Sequence, residues 1–313
     1  MKVAVVTPAH DVAAWIGDCI ASVIAQSHKD WAMIIVDDGS RDATARVAAR
    51  FDDPRIALIR QENRGVSAAR NRGLAAAAED AGAVLFLDAD DFLAPDALAR
   101  LAAALEAAPR AVAAHGPFGF VAENAHPGAR AFAVTGAPLA EGDLLERLLE
   151  RNLFANGGHV LIRRAACAGF REDIAFGEDW EFWVRLAQRG PFAAVQDRSP
   201  VLFVRRRASG AYLRMATHPD AFEPVMAAIF DNDAMLHRVG TARRYGLRRR
   251  AEAENAWIVG RELVRHGRRN EAMKWLRRAI TAKPSLKRTL LALALPVLQH
   301  LPPHWRGPFR PYD

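Results

Sequence analysis

The chain has 313 residues, of which 51% are hydrophobic, 25% charged and 8% aromatic, so disordered, collagenous and fibrous classes are excluded and two domains fit. Its net charge of +7 is unevenly spread: from Arg238 to the end there are 18 Lys and Arg against 5 Asp and Glu, while the earlier part is acidic on balance. That excludes a nucleic-acid-binding surface over the whole protein and places any charged partner at the tail.

Cys19 and Cys167 are too few for a disulfide framework and read as small core residues of a reducing compartment. The opening MKVAVVTPAHD has too short an apolar run for a signal peptide, and Leu290–Leu298 is about half the ~20 residues of a membrane span. A cytoplasmic protein is expected.

In chain order, Val3–Val6 predicts a strand, and Val12, Trp15, Ile16, Cys19, Ile20, Val23 and Ile24 recur on one helix face. Met33–Val36 predicts a second strand, ending in Asp37-Asp38-Gly39-Ser40, with Ser40 placed to cap the next helix. A strand at Ile56–Ile59, a helix at Ser67–Glu79, a strand at Val84–Leu87 and a helix at Asp96–Ala108 follow. A strand at Ala111–Phe120, a Gly/Pro-rich loop to about Leu139, a helix at Gly142–Arg151 and a strand at His159–Arg163 come next. A helix then opens at Glu178, before strands at Phe192–Val195 and Val201–Arg205. Beyond His218 only helix signals remain. This alternation predicts an α/β fold, a mostly parallel sheet flanked by helices over residues 1–217, followed by a basic helical C-terminal region over 218–313. Within that region Gly260, Gly267, Ala272, Leu276, Ala279 and Pro284 resemble one tetratricopeptide-type repeat; an ordinary helical hairpin is the alternative.

Three carboxylate clusters fall at strand ends or a helix start: Asp37-Asp38, Asp88-Ala89-Asp90-Asp91 and Glu178-Asp179. One such pair reads as a solvated turn or cap. Three in this order point to a ligand site, because adjacent like charges are costly unless a cation or hydrogen-bonding groups meet them. Hard oxygen ligands suit Mg²⁺ or Mn²⁺, ions that commonly also hold substrate phosphates.

The strings VVTPAHD, SVIAQSHKDWAMIIVDDGSRDAT, NRGVSAARNRGLAAA and VLFLDADD, with the later FREDIAFGEDWEFWVRLAQRG, resemble the family 2 inverting glycosyltransferases of GT-A fold, over about residues 1–210. The resemblance implies that Pro8, His10 and Asp11 line a nucleotide base pocket and that Asp38 accepts a hydrogen bond from a uracil-like base. His10-Asp11 stands where the family has an aromatic-Asn pair. Arg70 is implied near the donor phosphates, with Arg72 a solvated neighbour. Asp88 and Asp90 match the Asp-x-Asp motif, and strand alternation is expected to send both to one side. Asp88 would reach the ribose or a metal-bound water, Asp90 would ligate the metal, and Asp91 would face the donor sugar.

By the same resemblance Asp179 is the catalytic base and Glu178 orients the loop or binds acceptor hydroxyls. Trp180 and Trp183 are expected in the core rather than against a sugar. Arg205, Arg206 and Arg207 replace a Tyr-Arg-x-His segment, so no histidine metal ligand is assigned, and the arginines are expected to neutralise the departing diphosphate. Specificity is expected between about Phe118 and Leu139 and near Asn156–His159.

The expected activity is transfer from a UDP-linked or related nucleotide-sugar to a hydroxyl of a glycan or lipid-linked acceptor, in cell-surface polysaccharide synthesis. The rival is a helical-repeat interaction protein carrying a degenerate, nucleotide-binding transferase domain; intact Asp38, Asp88, Asp90 and Asp179 argue against it. No Walker loop or G-x-G-x-x-G is present. Lys283, Lys287 and Arg288 before Leu290–Leu298, with Trp305 and Arg306 after it, suit peripheral contact with an anionic membrane; a final helix packed on the catalytic domain is the alternative.

Overall fold

The computed structural model describes residues 1–134, 140–154, 156–207 and 218–298, which divide into two compact units. The first comprises Met1–Leu145 and Phe154–Arg205, and the second Glu146–Leu153 and the chain from Arg206 onward. Trp305 and Arg306 lie outside the described residues, as does part of the Phe118–Leu139 loop.

The first unit is built on a seven-stranded sheet. Four of its strands, β1 (Val3–Ala9), β2 (Trp31–Asp38), β3 (Ile56–Gln61) and β4 (Ala83–Phe86), run parallel. β1 and β2 are buried almost throughout, which is why they read as continuous apolar runs rather than alternating ones. The register pairs Ala9 with Asp37, so both strands deliver their last residues to one edge.

Helices α1 (Ile16–Ile24), α2 (Thr44–Ala48), α3 (Val66–Ala76) and α4 (Ala97–Ala107) follow the early strands. α3 lies close on the sheet at Gly73, where a Cβ would come 2.4 Å from Val6 Cγ1. Both cysteines are buried and unpaired.

Three local expectations need correction. α1 begins at Ile16, because Val12–Trp15 forms a turn in which Val12 O accepts from Trp15 N and Ile16 N. Ser40 caps no helix: its hydroxyl accepts from Asp11 N, and α2 starts four residues later without a side-chain cap. The strand expected at Ala111–Phe120 is two strands, β6 (Ala113–His115) and β7 (Phe118–Ala122), in different sheets. The break falls at Gly116-Pro117, where proline offers no N–H to continue a ladder.

β8 (Ala133–Val134) pairs with β7, and the helix expected over Gly142–Arg151 shortens to α5 (Leu145–Glu150), since Gly142 bridges to Phe192 instead. β9 (Val160–Arg163) is antiparallel to β4 and β6, and β10 (Phe192–Ala194) completes the large sheet in the order β10-β6-β9-β4-β1-β2-β3. Between β9 and β10 runs α6 (Glu178–Ala187). A second sheet, ordered β5-β11-β7-β8, joins β5 (Phe92–Leu93) to β11 (Leu202–Arg206) and so fixes the chain just after the Asp88–Asp91 turn.

The described part of the second unit beyond His218 is helical: α7 (Glu223–Phe230), α8 (Asp233–Leu236), α9 (Thr241–Arg265), α10 (Arg269–Ala282) and α11 (Leu286–Leu298). α9 and α10 join through a turn at Gly267, and Gly260 lies against Leu276. Ala256, Trp257, Leu276, Ala279 and Ala292 form a shared core. Among the described residues no helix is long and apolar enough to cross a membrane.

Candidate active site

The site grows from the ends of β2 and β4 and the start of α6. At β2, Asp38 is buried, and its carboxylate accepts from Gln61 Nε2 (2.8 Å), Arg64 N (2.9 Å) and Gly65 N (2.8 Å). A carboxylate offers about four acceptor positions, so Asp38 is largely spent on organising the 61–65 loop. Gly39 makes that approach possible: its φ is +71°, and a Cβ would stand 2.8 Å from Asn63 N. Asp37 beside it accepts from Arg60 Nε (3.0 Å) and Ser40 N (3.2 Å).

His10 and Asp11 continue from β1 and are exposed, and Pro8 is buried in the strand. His10 Nδ1 donates to the Asp38 carbonyl oxygen (2.8 Å), and Asn63 Nδ2 lies 3.2 Å from the same ring. Asp11 takes the left-handed φ of +49° and accepts from Arg41 N (2.8 Å) and Asp42 N (3.3 Å). Asn63 opens the NRGVSAAR string but was assigned no role; it lies in the 61–65 loop beside His10.

β4 stops at Phe86, so Asp88 and Asp90 are not related by strand alternation. They lie in a turn closed by Asp91 N donating to Asp88 O (3.0 Å). Asp91 is buried and accepts from Asn156 Nδ2 (2.6 Å) and Arg205 N (2.9 Å). Burial first, then the Asp90 and Asp88 charges, raise its carboxyl above the usual range. Asp91 thus faces inward, toward the turn's support.

Arg205 is spent there too. Its guanidinium donates to the carbonyl oxygens of Asp90 (2.6 Å) and Ala125 (2.8 and 3.0 Å), pairs with Asp18, and lies 4.8 Å over the Phe92 ring. The expectation that it meets a diphosphate is corrected by these buried partners. Asn156 was expected in a specificity region rather than as a support of Asp91, and the Asp18–Arg205 pair left no signal, because the partners lie far apart in sequence.

Arg70 joins the donor-side and acceptor-side motifs. It is buried on α3, donating through Nη2 to Asp88 Oδ1 (3.0 Å) and through Nη1 to Glu178 Oε1 (2.9 Å), 4.9 Å from the Phe170 ring. Burial opposes its charge, yet the Asp88, Glu178 and Asp179 carboxylates outweigh this and hold it protonated beyond the ordinary range. Arg72 is exposed. Asn71 fastens the segment before α6, bonding Phe170 through both its amide groups (3.0 and 2.6 Å).

At the start of α6, Asp179 Oδ1 accepts from Trp180 N (2.7 Å) and the side chain is half-buried. Trp180 and Trp183 are both buried, and Trp183 meets the Phe182 and Phe154 rings, so they belong to the core as expected. Nearby, His159 Nδ1 donates to Gly116 O (2.8 Å), and burial lowers its pKa to about 3, so the ring is neutral.

Among the described residues no three carboxylate, imidazole or thiol groups are arranged to chelate an ion by themselves. The turn instead offers Asp88 and Asp90 as hard oxygen donors, which fits a divalent ion that takes one or two carboxylates and completes its shell with water and substrate phosphates.

The family model for glycosyl transferase family 2 matches residues 4–175, more than half of the chain. The chain belongs to this family. The family 2 transferase is 41% identical over 92 residues to the putative teichuronic acid biosynthesis glycosyltransferase TuaG of Bacillus subtilis, 28% of this chain and 36% of TuaG. It covers well under half of the curated relatives it matches. Among solved structures it resembles S. aureus TarS 1-349 with a TM-score of 0.61 at 15% identity, over 99% of this chain and 89% of that one. TarS is also solved in complex with UDP-GlcNAc. The mannosyltransferase PcManGT of Pyrobaculum calidifontis, solved with GDP-Man and Mn²⁺, gives a TM-score of 0.58 at 22% identity, over 98% of this chain and 83% of that one. The fold of the family 2 transferase is of GT-A type.

Proposed function

We propose that the protein transfers a sugar, with inversion, from a UDP-linked or related nucleotide-diphospho-sugar to a hydroxyl of a glycan or lipid-linked acceptor, in the synthesis of a surface polysaccharide. The observation that carries this reading is the Arg70 bridge, which holds Asp88 of the donor side and Glu178 of the acceptor side on one guanidinium. That bridge supports a single site for donor and acceptor. The UDP-GlcNAc and GDP-Man complexes of the structural neighbours and the teichuronic acid assignment of TuaG support the substrate classes.

Pro8, His10 and Asp11 border the base, and Asp38 shapes the loop beside it. Asp90, with Asp88, would hold Mg²⁺ or Mn²⁺, which when bound acts as a Lewis acid on the diphosphate. Asp91 keeps the turn in shape through Asn156 and Arg205 rather than touching the sugar. Arg70, buried and shared by Asp88 and Glu178, holds the two motifs in place rather than offering free charge to the phosphates.

Asp179 is the general base. The acceptor oxygen forms a bond to the anomeric carbon as that carbon's bond to the diphosphate breaks. The electron pair leaves on the phosphate oxygen, and the acceptor proton passes to Asp179. Glu178 is less available for the same task, because its Oε1 already accepts from Arg70 Nη1. The test is metal-dependent release of free nucleotide from a panel of nucleotide-sugars with a glycan acceptor. Release that is indifferent to Mg²⁺ and Mn²⁺, or no release from any donor, overturns the reading.

A further inference from the structure

On α11 the side chains of Leu286, Leu290 and Leu293 are 77%, 56% and 72% exposed. Their i, i+4 and i+7 spacing puts all three on one face of the helix. Only seven large apolar side chains are exposed among the described residues, and three of them are these. The helix is not loosely held. On its other side Leu291 and Ala292 pack with Trp257, Leu276 and Ala279, and Arg288 pairs with Glu254 while lying 5.2 Å over the Trp257 ring. The leucine face is therefore fixed outward.

Charge says what it meets. From Ala272 through Leu298 the chain carries six Lys and Arg and no Asp or Glu. Glu254 pairs with both Lys283 and Arg288 and offsets one of their two charges, while Lys274, Arg277, Arg278 and Lys287 are exposed. Lys287 adjoins the leucine stripe directly. A narrow apolar stripe with basic neighbours suits a helix lying in the plane of an anionic interface, its leucines in the acyl boundary and its cations among phosphates. At 13 residues α11 is too short to cross a bilayer.

We propose that α11 is an interfacial anchor that docks the protein on an anionic lipid surface. The surface does not depend on the transfer chemistry proposed above, and the two are measured separately. The full chain is floated with vesicles of phosphatidylglycerol and with vesicles of phosphatidylcholine, at low and high salt. The wild type is expected to float with the former only, and less as salt rises. Leu286→Ser/Leu290→Ser/Leu293→Ser should lower the bound fraction more than tenfold. Lys274→Ala/Arg277→Ala/Lys287→Ala should weaken binding and flatten its salt dependence. These side chains are exposed, so circular dichroism and metal-dependent nucleotide release should stay as in the wild type, which separates lost docking from lost folding or lost transfer. The proposal is overturned by a wild type that floats with neither vesicle, by equal flotation of the leucine variant, or by leucine substitutions that dissociate a dimer and leave flotation unchanged.

Discussion

The ends of β2 and β4 carry similar acidic dipeptides and have opposite fates. At β2, Asp37 and Asp38 are buried and met by five donors from the 40–65 segment, so their charge is consumed in holding a loop. At β4, the turn sets three carboxylates within four residues, and the guanidinium that meets Asp88 is shared with Glu178. The difference teaches that neighbouring carboxylates can serve one loop, as at β2, or join distant segments, as Asp88 does by sharing Arg70 with Glu178. A carboxylate already satisfied by backbone amides is architecture.

The largest effect is expected for Asp90→Ala at the β4 end. Transfer should fall below detection, and Mn²⁺ should no longer strengthen nucleotide diphosphate binding in isothermal titration. Equal metal enhancement in variant and wild type would break the comparison.

Asp179→Asn keeps the shape of the proposed base and removes its ability to take a proton. A loss of about 10²–10⁴ in kcat is expected, with donor affinity little changed. More than about a tenth of wild-type turnover with the native acceptor would put the base elsewhere.

Asp38→Ala sharpens the contrast, because its expected effect is on stability. The amides of Arg64 and Gly65 lose their acceptor, at about 1–3 kcal/mol for each orphaned donor. Urea unfolding should show a lowered midpoint. An unchanged midpoint with activity lost would move Asp38 from architecture to chemistry.

The smallest effect concerns acid. His159 has its folded pKa near 3, below the unfolded value of about 6.5. The unfolded chain therefore binds the extra proton between those values, and stability present above pH 6.5 is lost as pH falls toward 3. The slope is at most about 1.4 kcal/mol per pH unit. His159→Phe should remove that part of the slope in urea titrations at pH 7 and pH 5, and an identical slope would count against a neutral buried ring.

Much of the fold was legible because β1, β2 and β4 are short buried apolar runs and their helices carry regular faces. What failed was local: Ser40 reads as a cap, but Asp11 N takes its hydroxyl, and Ala111–Phe120 reads as one strand until Gly116-Pro117 divides it. The candidate site was legible as acidic clusters and as Arg70, which the resemblance set near the phosphates and which pairs with Asp88 and Glu178. The partners of Asn63 and Asn156 and the Asp18–Arg205 pair were not, since hydrogen bonds between residues far apart in sequence leave no spacing signal. Asp91 shows the limit from the other side: its place in the motif suggested a sugar contact, and its two donors hold it inward.

Arg205 also has a consequence for how the protein comes to be active. It is among the last residues of its unit, and it secures a turn formed more than a hundred positions earlier. Contacts of such separation require large loops to close before they bring any return, so they form late in folding. A nascent chain that has made β1 to β4 has its acidic residues but not their final arrangement. Catalytic competence should thus switch on with the last strand, and a partly folded enzyme would leave its donor untouched.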